Sequence, residues 1–184
     1  MFKKLLIFID DILHRIILDK KKELNMKITF DEIIDQVLEH EGGYSHDPKD
    51  LGGETNFGIT KRFYPNVDIK NLTKEQAKQI YHQDYWRPAK CDEVPPKLRH
   101  IYFDMCVNFG RKGAVKVLQQ AANSKLRNKI EVDGGIGPAT IKAIQNVSLD
   151  RVRAYRVLRF ANIVIDKPNQ EKFWVGWFRR ATEV

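Results

Sequence analysis

The sequence has no long hydrophobic run. The uncharged stretch nearest the start, Leu5 to Ile9, ends at Asp10 and Asp11, whereas a membrane-spanning helix needs about 20 predominantly apolar residues. The longer apolar region and small-residue cleavage site of a secretory signal are also missing, so export by that route is not expected. Only two cysteines are present, Cys91 and Cys106. They are too few for a disulfide framework or a Cys-based zinc site; two reduced thiols are expected, with a single bridge between them as the alternative. The five histidines are scattered, with no pair at metal-ligand spacing. There is no Gly-rich phosphate loop and no nucleophile elbow.

What is present is an ordinary globular balance, 42% hydrophobic and 30% charged over 184 residues. That suits one domain, or a small domain with a helical appendix, and supplies a core without disulfide staples. The net charge of +8 is uneven: +2 over residues 1–25, −3 over 26–110 and +9 over 111–184. A basic block of this kind meets a polyanion (nucleic acid, acidic lipid or an anionic wall polymer) or is simply a solvated surface.

Residues 1–25 carry Phe2, Leu5, Leu6, Ile9, Ile12, Leu13, Ile16 and Ile17 at the spacing of one helix face. An amphipathic helix and a polar linker are expected there, docked on protein or else on a bilayer surface. An ordered domain is expected to begin near Met26, which makes that residue a candidate alternative start.

Thr29 and Glu32 form a Thr-x-x-Glu capping box, with Ile28 and Ile33 at the positions of a hydrophobic staple. The helix they open runs with Phe30, Ile33, Ile34, Val37 and Leu38 on one face, and Glu41 is the next position on that face. Gly42 and Gly43 end it. Glu41 is therefore expected to be partly desolvated and to sit where the helix dipole disfavours an anion. Both effects favour the protonated form that a general acid needs. The alternative is a Glu turned outward at a frayed end.

The stretch after Glu41-Gly-Gly-Tyr44 is rich in glycine and polar residues: Asp50-Leu-Gly-Gly-Glu-Thr-Asn-Phe-Gly-Ile-Thr60. It reads as a tightly turning loop or small hairpin, able to fold Asp50 back opposite Glu41. Two carboxyl groups across a cleft are glycosidase equipment. These two strings, tied together by short gaps, closely resemble glycoside hydrolase family 108, the phage and bacterial N-acetylmuramidases. They are also similar to the wider phage-type lysozyme pattern of Glu, eight residues, Asp, five residues, Thr. Here the third place is held by Asn56, with Thr55 beside it.

Further along, Thr73 and Gln76 form a second capping box before Ala77, Ile80 and Tyr81, and Tyr85 and Trp86 follow before Pro88. Those two aromatics belong either to the core or to a sugar-stacking surface. A third helix after Pro95-Pro96 includes Cys106 in its stripe, a buried structural thiol, and ends at Gly110. Asp104 and Asn108 resemble the family's Asp-x-x-x-Asn-x-Gly stretch and are expected to be structural. Ala114, Val117, Leu118 and Ala121 mark the next helix, and Gly-Pro138 the start of another. The string Asp133-Gly-x-x-Gly-Pro-x-Thr140 resembles peptidoglycan-binding regions appended to this family. A long helix from Leu149 to Ile165 carries Arg151, Arg153, Arg156 and Arg159, and the chain closes on a Gly-Trp-x-x-Arg string at Gly176 to Arg180 that again resembles the family.

The expected fold is mainly α: a lysozyme-like helical catalytic region with a small polar β or loop element, and a packed C-terminal helical region. The expected organisation is residues 1–25 as helix and linker, 26–112 as catalytic region and 113–184 as peptidoglycan-binding region. The resemblance implies hydrolysis of the β-1,4 bond between N-acetylmuramic acid and N-acetylglucosamine. Glu41 would be the acid and Asp50 the second carboxylate, with Tyr44, Thr55, Asn56 and Thr60 positioning substrate or water. Arg153, Arg156 and Trp177 are candidates for wall contact, at least one of the two arginines pointing to solvent. No cofactor is implied and no metal. Peptidoglycan is the expected partner, nucleic acid is not, and the chain is expected to act as a monomer. The resemblance further implies a phage enzyme that accumulates in the host cytoplasm and reaches the wall through a holin. The rival readings are a lytic transglycosylase and a non-catalytic binder of wall polymer or nucleic acid.

Overall fold

The computed structural model describes residues 28–46 and 53–184. The expected N-terminal helix, its linker and Asp50 lie outside these residues. The described chain is mainly α, as its periodicities imply, with seven α-helices and one small antiparallel sheet.

Helix α1 (Phe30–Glu41) begins as its capping box requires: the Glu32 carboxylate accepts from the Thr29 backbone N–H at 2.7 Å and from the Thr29 hydroxyl at 3.0 Å. Its buried face is Ile33, Ile34, Val37 and Leu38. Gly42, at φ +80°, takes the left-handed turn that stops it. Strands β1 (Ser45–His46), β2 (Glu54–Asn56) and β3 (Ile59–Thr60) pair in that order, with Ser45 opposite Thr55 and Thr55 opposite Thr60. Residues directly opposite share a face, so the three hydroxyls form one row, while Asn56 and Ile59 are turned into the core.

Helix α2 (Lys74–Tyr81) starts at the second capping box, Gln76 N–H donating to the Thr73 hydroxyl at 3.2 Å and the Gln76 side chain accepting from Thr73 N–H at 2.9 Å. It runs on into a π-helical turn, His82–Trp86. That turn was not expected, and it rotates Trp86 inward. Trp86 is core: its ring meets Phe30 and Phe103 edge-on, and its indole N–H donates to Asp92 at 3.0 Å.

Helix α3 (Pro96–Phe109) is the central element, buried from Leu98 through Cys106 at seven positions that include Asp104. Against it and one another pack α4 (Arg111–Asn123), α5 (Pro138–Ile144), α6 (Leu149–Asp166) and α7 (Trp174–Glu183). The apolar core is one cluster, running from Ile33 and Val37 through Tyr102 and Leu118 to Val152 and Val184. Both cysteines are free and buried, and burial pushes the Cys106 thiol up to about 12. No described helix is long and apolar enough to cross a membrane.

Candidate active site

Glu41 is the last residue of α1, half-buried, and three elements far apart in sequence converge on it. The first is the turn between β2 and β3. Phe57 and Gly58 both have positive φ, +50° and +73°, the signature of a type I′ two-residue hairpin. A Cβ on Gly58 would stand 3.0 Å from Glu41 Oε2 and 2.8 Å from the Tyr81 hydroxyl. Only glycine lets this backbone lie against the carboxylate.

The second is the end of α2. Tyr81 is buried, and its hydroxyl donates to the Phe57 carbonyl at 2.9 Å, tying the hairpin tip down beside Glu41. Burial, and after it the nearby Glu41 charge, hold the phenol far above its ordinary value. Tyr81 is therefore a neutral hydrogen-bond donor across the physiological range.

The third is α7. Arg180 Nη2 donates to Glu41 Oε1 at 2.8 Å, across 139 residues of sequence. The same guanidinium donates to Asp104 Oδ1 from Nη2 at 2.9 Å and from Nε at 3.0 Å. Asp104 is fully buried on α3 and also accepts from Arg156 of α6, which is fully buried too. Burial works against the charge of Arg180, but Asp104 and then Glu41 outweigh it and hold the guanidinium above its usual value. Burial lowers Arg156, with Asp104 opposing. The structure thus sets one cation, Arg180, directly against the Glu41 carboxyl group.

Of the other candidates, Thr55 and Thr60 lie on the hydroxyl row, half-buried, and the Thr60 hydroxyl has no partner among the described residues. Tyr44 is exposed and donates to Glu54 at 3.1 Å. Asn56 is a correction. Its side-chain amide donates inward to the carbonyls of Ile69, at 3.1 Å, and Leu72, at 3.4 Å, so it anchors the following loop and does not position water.

Arg156 is the second correction, because a fully buried side chain paired with Asp104 cannot contact a wall polymer. Arg153 is half-buried and donates to the Val184 carbonyl at 2.9 Å. Trp177 stacks between Phe160 and Phe173. Asp104, expected to be structural, is the hub of the ion-pair cluster. Arg180 was missed as a site residue, although its signal was present in the closing Gly-Trp-x-x-Arg string. Tyr81 was assigned only to a helix face. No group of side chains that could hold a metal occurs among the described residues.

The family model of glycosyl hydrolase 108 matches residues 34–110, which include Glu41, the hairpin and Asp104. A predicted peptidoglycan domain matches residues 113–182, which include Arg156 and Arg180. Among solved structures, SagA of Brucella abortus is 30% identical, with a TM-score of 0.66 over 84% of this chain and 90% of its own. No curated protein matches the chain. With a helix-terminal glutamate enclosed by a glycine turn at its centre, the chain belongs to the glycosyl hydrolase 108 family and is a glycosidase acting on peptidoglycan.

Proposed function

We propose that the chain hydrolyses the β-1,4 bond between N-acetylmuramic acid and N-acetylglucosamine, with Glu41 as the general acid that protonates the leaving oxygen. The observation that supports this most is the enclosure of Glu41 at a half-buried position: Arg180 donates to its carboxyl group, and the Gly58 turn, tied down by Tyr81, closes against it. Asp50 is assigned as the second carboxylate, holding water or steadying the oxocarbenium-like transition state, with Thr55 as the side chain that shares this role. The setting we assign is lysis of a bacterial host by a phage enzyme that accumulates in the cytoplasm and is released through a holin, on the family likeness.

Mass spectrometry of digests of purified peptidoglycan tests the reaction. Reducing N-acetylmuramic acid ends are expected. Anhydro ends would replace the assignment with a lytic transglycosylase, reducing N-acetylglucosamine ends would place the cut at the other bond, and no soluble product would leave a binder. Asp50→Asn is expected to lower turnover less than Glu41→Gln does. Equal loss with unchanged binding to wall would make Asp50 an equal catalytic partner and remove the shared role of Thr55.

A further inference from the structure

We infer that Arg180 of α7 is a positioning residue for Glu41, so that the catalytic unit is incomplete without the C-terminal region, whatever else that region binds. The inference rests on the reading of Glu41 as the acid. Glu41 ends its helix and is followed at once by Gly42 and Gly43, so no further helical turn follows to hold its side chain. Arg180 supplies the hydrogen bond that orients the carboxyl group within its enclosure. Its guanidinium is fixed on one edge by two hydrogen bonds to Asp104, and the remaining reach of Nη2 is directed at Glu41 Oε1. Asp104 is itself immobilised by Arg156.

The row Arg156, Asp104, Arg180, Glu41 thus alternates in charge, starts in the core of α6 and ends on the reactive carboxyl group. The register of α7 is held as well, since Arg153 Nε donates to the Val184 carbonyl at 2.9 Å and Ala181 and Val184 are buried. A module serving only to hold the enzyme on the wall would have no use for an inward arginine on the acid. Arg179 beside it and Thr182 two residues on are exposed, but the Arg180 side chain is only 15% exposed.

The test compares full-length Arg180→Met, Arg180→Lys, Arg179→Met and Glu41→Gln with wild type. Turnover is measured on soluble glycan oligomers carrying stem peptides, and binding by sedimentation with purified peptidoglycan. A misplaced catalytic group costs about 10²-fold; Arg180→Met is expected to lose kcat on that scale, with KM and sedimentation unchanged. Lysine keeps the charge but not the fork that spans two carboxylates, so Arg180→Lys is expected to lie between Met and wild type. Arg179→Met, at the exposed neighbour, is expected to match wild type. Wild-type kcat in Arg180→Met beside an inactive Glu41→Gln overturns the inference and leaves the assignment of Glu41 standing. So does a rise in KM with kcat intact, which would make Arg180 a substrate contact. If Arg180→Met does not fold, Arg180→Lys decides: a fall in kcat at constant KM supports the inference, and wild-type kcat overturns it. An active Glu41→Gln removes the reading on which the inference rests.

Discussion

At the scale of single residues, the site depends on groups whose replacement has calculable consequences. Gly58→Ala forces a Cβ to within 2.8 Å of the Tyr81 hydroxyl and 3.0 Å of Glu41 Oε2 while keeping φ at +73°. The left-handed conformation alone costs an L-residue roughly 1–2 kcal/mol. The expected outcome is a folded, less stable protein with strongly reduced turnover, read by thermal melting and by digestion of peptidoglycan. Tyr81→Phe keeps the ring and loses one hydrogen bond, so a loss of about 0.5–1.5 kcal/mol is expected, and urea titration measures it. Asp104→Ala is the severe case. It strips the counter-charge from Arg156 and one of two from Arg180, and breaking a buried pair in this way costs roughly 3–5 kcal/mol. Glu41 was legible in the sequence because it prolongs an apolar stripe and is followed by two glycines. Arg156 and Asn56 were misjudged because periodicity does not say where a polar side chain finds its partner. Arg156 meets Asp104 52 residues away, and Asn56 is drawn inward by two carbonyls that lie 13 and 16 residues on.

At the scale of elements, local chemistry carries most of the fold. Both capping boxes, the glycine stops at Gly42 and Gly110 and the proline starts at Pro96 and Pro138 stand where the sequence places them. The π-helical turn at residues 82–86 was not legible, since the packing of Trp86 against Phe30 and Phe103 sets it and no local pattern announces it. Helices α1 and α2 are joined by Asp35, which pairs with Lys74 at 2.7 Å and Lys78 at 2.9 Å. Those two lysines hold the Asp35 carboxyl below its ordinary value, and the Thr29 backbone N–H and hydroxyl do the same for Glu32. A carboxyl group lowered in the folded chain adds stability above its unfolded value, and that stability disappears as pH falls through the folded one. The melting temperature is therefore expected to drop as pH is taken from neutral into the acid carboxylate range. Asp35→Asn is expected to show a shallower drop, checked by melting both proteins across the same pH series.

At the scale of the whole molecule, one core runs through both matched regions. The charge asymmetry of −3 against +9 was legible, but its division of labour was not, because some of the basic residues are spent inside. Lys125, Arg127 and Lys129 form one exposed basic group after α4 and are among the side chains free to meet an anionic wall. Reversing all three to Glu is expected to weaken sedimentation with peptidoglycan at low salt, leaving turnover of soluble oligomers intact. The difference should narrow as salt rises, given a screening length of about 10 Å at 0.1 M. The identity of the acid is the claim from which the rest follows. Its most direct test is turnover of soluble glycan oligomers by Glu41→Gln, in a protein whose melting curve shows it folded. Gln keeps the shape and the Arg180 contact but has no proton to give, so a loss of roughly 10²–10⁴-fold in kcat is predicted. Wild-type kcat in that folded variant would contradict the account.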